Sequence, residues 1–250
     1  MKPIQLSILA LGLAALAACN GDKTANGTAP VSDITAKAVP APANGDWSEA
    51  VAQSPEGGYV MGNPNAKVKL VEYGSLTCPH CREFDEKGAP SLIDNYVKKG
   101  LVSWEFRNFV RDPYDITASL IARCGGASSV FGLTRAFYAD QPNWIGKIQA
   151  ADQATMESLQ AMTPQQQFAK IAELAGLPEF AALRGLPKAK TAACLANQAE
   201  ASRLVQMNSD AVAQFPQFPG TPTFLMNGKI VDNVATWELL EPKLKQALGS

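Results

Sequence analysis

One histidine and five cysteines in 250 residues set the first limits on this chain. His80 has no second imidazole to join it, and there is a single Cys-x-x-Cys pair, so a closed four-ligand zinc site lacks ligands. Charge of one sign is also missing. The 22 lysines and arginines stand against 23 acids, which leaves no basic surface of the kind that binds nucleic acid. The apolar run from Ile4 to Ala18 is too short and too rich in alanine to make a convincing membrane span. What is present, 46% hydrophobic and 18% charged residues, suffices for one good-sized core with a helical subdomain and excludes a disordered or fibrous chain.

Residues 1–18 carry one charge, Lys2, ahead of that apolar run, the pattern of a bacterial export signal. It ends in Leu16-Ala17-Ala18-Cys19, which resembles a lipobox, where the cysteine is acylated and becomes the first mature residue. Ordinary cleavage leaving a free Cys19, or an uncleaved anchor, are the alternatives. Cysteine parity favours the lipid: five cysteines in an oxidising compartment leave one unpaired unless Cys19 is consumed. Loss of residues 1–18 would leave 21 basic and 23 acidic groups. Asn20 gives no obvious inner-membrane retention signal, which points to the outer membrane.

The lone histidine lies inside the cysteine pair, in Thr77-Cys78-Pro79-His80-Cys81, between an apolar strand pattern and a predicted helix. On a first helical turn the two sulfurs are close enough to bridge, and unpaired backbone N–H groups stabilise a thiolate on the leading cysteine. Cys78 is therefore the expected nucleophile and Cys81 the resolving thiol. Free cysteine ionises at about 8.5 and such sites reach about 3.5–7.5; a drop of ~2–4 units corresponds to roughly 3–5 kcal/mol favouring the thiolate. Thiolate stabilisation exists only in the reduced form, so it makes the disulfide more oxidising. Pro79 presets the helix entry and lacks an N–H; a protonated His80 would add positive charge beside Cys78. By elimination Cys124–Cys194 is a second disulfide, worth roughly 4 kcal/mol if it closes a loop of about 70 residues. Two separately buried thiols are the alternative.

The pattern predicts three segments: the signal at 1–18, a disordered tether at 19–46 rich in Ala, Pro, Thr and Gly, and a folded domain at 47–250. Such a tether spans about 30 Å. Tyr59–Met61 and Val68–Tyr73 read as strands, followed by a helix from Cys81 to Gly100 with a kink at Pro90. Val102–Phe109 then reads as a strand parallel to the second, and the right-handed crossover puts the cysteines at the carboxyl end of the sheet. A mostly helical insertion covers about 112–218, with helices expected at Ile116–Cys124, Val130–Tyr138, from Thr163 to Gly176, and Lys188–Met207. Asn227-Gly228 marks a hairpin, and a closing helix, Trp237–Leu248, is expected to bend or restart at Pro242.

Taken together, about residues 57–248 resemble the DsbA-like branch of the thioredoxin fold, the periplasmic thiol:disulfide oxidoreductases: an α/β fold with an inserted helical subdomain. Cys78-Pro79-His80-Cys81 is similar to that family's active-site motif residue for residue. The resemblance implies a cis-proline at Pro222 beside the cysteines, with Thr221 free to pair its backbone with an extended substrate strand. It also implies that Glu72, six positions before Cys78, is a buried acid that takes the proton from Cys81. An ordinary trans turn at Pro222 and a solvated carboxylate at Glu72 are the bland alternatives.

The implied activity is that of a monomeric dithiol oxidase, without a cofactor, acting on reduced, unfolded exported proteins. A quinone-linked membrane oxidase would reoxidise it, and lipid on Cys19 would hold it to the membrane in the periplasm. Threonine at 221 departs from the broad oxidases, which carry valine there, and matches isomerase and reductase relatives. Those isomerases have an amino-terminal dimerisation domain that the Ala/Pro-rich tether is not expected to build. A reductase or isomerase is therefore the first rival. A lipoprotein that grips copper or zinc through Cys78, His80 and Cys81 is the second.

Overall fold

A computed structural model describes residues 42–249, which belong to one compact unit. The expected signal at 1–18, Cys19 and most of the tether lie outside the described residues. Among those described, no helix is long and apolar enough to cross a membrane.

Two central strands carry the architecture. β3 (Val68–Gly74) and β4 (Val102–Asn108) pair in parallel from Val68 opposite Val102 to Gly74 opposite Asn108. Their side chains are buried on both faces, as their nearly continuous apolar character requires. β2 (Tyr59–Met61) runs antiparallel to β4, with β1 (Val51–Gln53) beyond it; β5 (Thr223–Met226) runs antiparallel to β3, with β6 (Lys229–Ile230) beyond it. The order is β1-β2-β4-β3-β5-β6. β1 was not expected from sequence, because Ala52 and Gln53 are exposed on an edge and show no apolar alternation. The β5–β6 turn is the expected Asn227-Gly228, both at positive φ (49° and 80°), a backbone these two residues adopt at low cost.

After β3 the chain enters α1 (Pro79–Lys87), then α2 (Ala89–Leu92) and a π-turn (Ile93–Val97). The expected kink at Pro90 is thus a division into three pieces. Gly88 separates the first two where a Cβ would stand 2.8 Å from Trp237 Cβ, so close packing against the last helix demands glycine. That helix, Trp237–Leu248, is continuous through Pro242 and does not restart there.

Eight helices lie between β4 and β5. α3 (Pro113–Arg123), α4 (Val130–Ala139) and α7 (Pro164–Ala175) match predicted segments. α5 (Gln141–Gln149), α6 (Gln153–Gln160) and α8 (Leu177–Ala182) were not predicted. The helix expected over Lys188–Met207 is two, α9 (Lys188–Leu195) and α10 (Gln198–Gln214), because Asn197 Oδ1 accepts from Glu200 N at 3.1 Å and starts a new helix. The closing helix is α11.

The two faces of the sheet bury different cores. On one, Leu70, Trp104, Phe106 and Phe224 pack with Phe84 of α1, Phe131 of α4 and Leu240 of α11. On the other, Val71, Tyr73 and Leu225 meet Ala211 of α10 and the rings of Phe109, Phe215 and Phe218. Alternation along β3 therefore puts Glu72 on the same side as Leu70, toward α1.

Candidate active site

Ser75-Leu76-Thr77 turns the chain from β3 into α1, so Cys78 stands at the carboxyl end of a central strand as the N-cap of a helix. Pro79 occupies the first helical position, where its missing N–H would have had no partner. Cys81 follows one turn in; both sulfurs are buried and both thiols are free.

The two thiols are driven apart. Cys78 is lowered to about 5, first by the hydrogen bond from the Cys81 thiol, then by the Thr221 side chain and the backbone N–H groups of Cys81 and His80, all against burial, which raises it. Thr221 acts in two senses: its carbonyl accepts from Cys78 Sγ at 3.2 Å and favours the thiol, whereas its side chain favours the thiolate. The net direction is down. Cys81 is pushed well above the ordinary thiol value by burial, by the Cys78 sulfur and by the charge of Glu72. At neutral pH the pair is a thiolate held by a thiol.

Glu72 is 1% exposed, and Trp104 Nε1 donates to its Oε2 at 3.2 Å. Burial pushes its carboxyl well up, with the negative charges of Asp85 and Cys78 adding to the effect. The Thr221–Pro222 peptide is cis and leads directly into β5. His80 is placed differently from expectation. Its side chain is 70% exposed with Nδ1 3.9 Å from Glu83 Oε2, and it acts on Cys78 through its backbone N–H. Among the described residues no group of three or more His, Cys, Asp or Glu could hold a metal ion. Cys124 and Cys194 are bridged, with Cα atoms 5.8 Å apart, and tie the end of α3 to α9.

Residues 54–246 match the protein-family profile described as Thioredoxin. The chain belongs to the thioredoxin family. Within it, the crystal structure of a protein-disulfide isomerase from Novosphingobium aromaticivorans is 34% identical, with a TM-score of 0.72 over 76% of this chain and 97% of that one. A crystal structure of Wolbachia pipientis α-DsbA1, 19% identical, has a TM-score of 0.62 over 79% of this chain and 94% of that one. The fold of this thioredoxin-family chain is thus DsbA-like, sheet and helical insertion together. A protein-disulfide oxidoreductase of Rickettsia prowazekii is 28% identical over 175 residues, 70% of this chain and 56% of that protein. The chain spans a little over half the length of that relative.

Four residues near the thiols of this thioredoxin-family site were not singled out from sequence. Asp85 is buried on α1, is raised to about 6 by burial, and has Arg135 Nε 3.4 Å from its Oδ1. Its spacing, four after Cys81 on one helix, puts it on the same face and was a usable signal. Tyr138 is buried with no hydrogen-bond partner for its hydroxyl among the described residues, and it feels the charges of Cys81 and Glu72. Asp115 and Gln141 grip the turn before Cys78 from α3 and α5. Asp115 sits in the first turn of α3, where an acid reads as ordinary helix capping, and Gln141 gives no signal at all.

Proposed function

We propose that this chain is a periplasmic thiol:disulfide oxidoreductase that works as a dithiol oxidase on exported proteins. The observation that carries the reading is the opposite displacement of the two sulfurs, Cys78 down to about 5 and Cys81 well up. A stable Cys78 thiolate makes it a good leaving group and favours the reduced enzyme, so the Cys78–Cys81 disulfide accepts electrons readily.

In the forward direction a substrate thiolate attacks Cys78 Sγ of the disulfide, the S–S bond to Cys81 breaks, and Cys81 leaves with the electron pair. The Glu72 carboxyl, whose hold on its proton is strengthened by burial, is the group that hands Cys81 its proton. The substrate's second thiolate then attacks the substrate sulfur of the mixed disulfide and expels Cys78 as thiolate. Substrate is oxidised by two electrons and the enzyme dithiol is reduced. A quinone-linked membrane partner returns it to the disulfide, and lipid on Cys19 keeps it near that membrane as a monomer. Beside the thiols, a groove of about 840 Å³ lined by Phe215, Pro216, Thr221, Pro222, Ile230 and Val231 offers apolar surface to an extended chain.

A second reading, disulfide isomerase or reductase, draws on Thr221 and on the name of the 34% identical Novosphingobium protein. Equilibration of the protein with glutathione separates the two. An oxidase has a Cys78–Cys81 potential well above that of thioredoxin, about −270 mV, whereas a value near it sinks the oxidase reading. A Cys81→Ala variant, which cannot release its mixed disulfides through Cys81, names the substrates it traps.

A further inference from the structure

The turn that delivers Cys78 is held partly by its own residues and by α1, whose Arg82 N–H donates to Cys78 O at 3.2 Å, and partly by two side chains from outside the strand-helix-strand unit. Leu76 N–H donates to Asp115 Oδ1 at 2.9 Å, and the Ser75 hydroxyl donates to Asp115 Oδ2 at 2.5 Å. Arg111 N–H reaches the same Oδ2 at 3.0 Å and Ser119 Oγ reaches Oδ1 at 3.4 Å, so one fully buried carboxyl gathers four donors. From the other side, the Gln141 amide donates to Leu76 O at 2.8 Å and to Cys78 O at 3.0 Å, and it too is buried. Within the turn, Thr77 N–H donates to Ser75 Oγ at 3.3 Å and Cys78 N–H to Ser75 O at 3.1 Å. The Ser75 N–H faces the Cys81 sulfur and stabilises its charge.

We propose that Asp115 and Gln141, both supplied by the helical insertion, are positioning residues that set the reactivity of Cys78 by clasping the Ser75–Thr77 turn from its donor side and its acceptor side. Neither touches a sulfur. Asp115 orients Ser75, whose N–H faces Cys81, and Gln141 holds the carbonyl of Cys78 itself. The distance between the sulfurs, and with it the Cys81-to-Cys78 hydrogen bond that does most to lower Cys78, depends on both grips. A buried turn whose carbonyls lose their donors must find others or move, since an unpaired buried polar group costs about 1–3 kcal/mol. The insertion would then do more than enlarge the domain: it would tune the dithiol that the smaller βαβ unit carries.

The inference rests on the oxidase reading, and the experiment keeps the two apart. Gln141→Leu, Asp115→Asn and Asp115→Ala are made in the full chain, reduced, and the pH midpoint of Cys78 alkylation is measured with the glutathione equilibrium and the thermal midpoint. The expected result is a rise of about one pH unit in the alkylation midpoint and about a tenfold shift of the equilibrium toward disulfide in folded Gln141→Leu and Asp115→Asn. Variants that lose thermal stability while both thiol readouts stay at the parent values overturn the proposal, since that is what a merely structural role produces. If Asp115→Ala does not fold, the two milder variants decide. An ordinary alkylation midpoint in the parent protein would instead defeat the oxidase reading.

Discussion

Trp104 Nε1 donates to Glu72 Oε2 across 3.2 Å, joining the two central strands beneath the cysteines. The bond lowers the Glu72 carboxyl, while burial, the stronger effect, raises it. Glu72 therefore holds its proton to a higher pH than an exposed carboxyl would.

Glu72→Gln removes that exchange without removing bulk. Expulsion of Cys81 when a substrate thiolate attacks the Cys78–Cys81 disulfide should slow by about 10²-fold, the lower end for a lost general acid or base, with Cys78 still reactive. Stopped-flow quenching of the mixed disulfide reads it. Trp104→Phe should act in the opposite direction on the carboxyl, raising it further and moving the pH dependence of the same step upward.

Asp85 gives a stability test with a defined sign. Its folded carboxyl is raised to about 6 from an ordinary 3.8, so between those values the folded chain holds a proton that the unfolded chain has lost. Its contribution is full below pH 3.8 and is lost as pH rises through 6. Asp85→Asn should accordingly flatten the fall in urea midpoint over that window. A slope identical to the parent's would contradict the assignment.

Arg123 is the buried cation that locks the edge of the domain to the insertion. Its Nε meets Glu200 Oε1 at 2.6 Å, Nη1 donates to Asn108 Oδ1 at 3.1 Å and Nη2 to Gly57 O at 3.0 Å. Arg123→Ala leaves those acceptors unpaired and should cost about 3 kcal/mol in chemical denaturation.

The Cys124–Cys194 bridge closes a separation of 70 residues. Replacing both with alanine should lower stability by roughly 2–4 kcal/mol, less than the loop-entropy limit if the unfolded chain keeps structure, while the alkylation midpoint of Cys78 stays put. Differential scanning calorimetry of the variant against the parent measures it.

What the sequence made legible was local. Cys78 and Cys81 with Pro79 and the Asn227-Gly228 turn are each specified by neighbours a few residues away, and so is the capping of α7, where Gln166 Oε1 accepts from Thr163 N at 3.1 Å; the parallel strand pair, 34 residues apart, was legible only through the handedness of its crossover. What escaped depended on distance along the chain. Gln141 lies 63 residues from Cys78, whose carbonyl it holds, and nothing in Gln141-Pro142-Asn143 marks that contact. α5 and α6 begin at Asp140 and Asp152 in polar surroundings, so their helical spacing is diluted. Lys188–Met207 looked continuous because Asn197 is one residue in an otherwise helix-forming run, and only its bond to Glu200 N shows that it starts a helix. The imidazole of His80 was expected to act on Cys78; Glu83, three residues on along the same helix, stands beside it, a spacing that was readable from the sequence.

An acidic Cys78 is read from the thiolate absorbance of the reduced protein titrated from pH 3 to 10, with Cys78→Ser as the blank. The expected midpoint is about 5 and vanishes in the blank. A midpoint at about 8.5, that of an ordinary thiol, would contradict it.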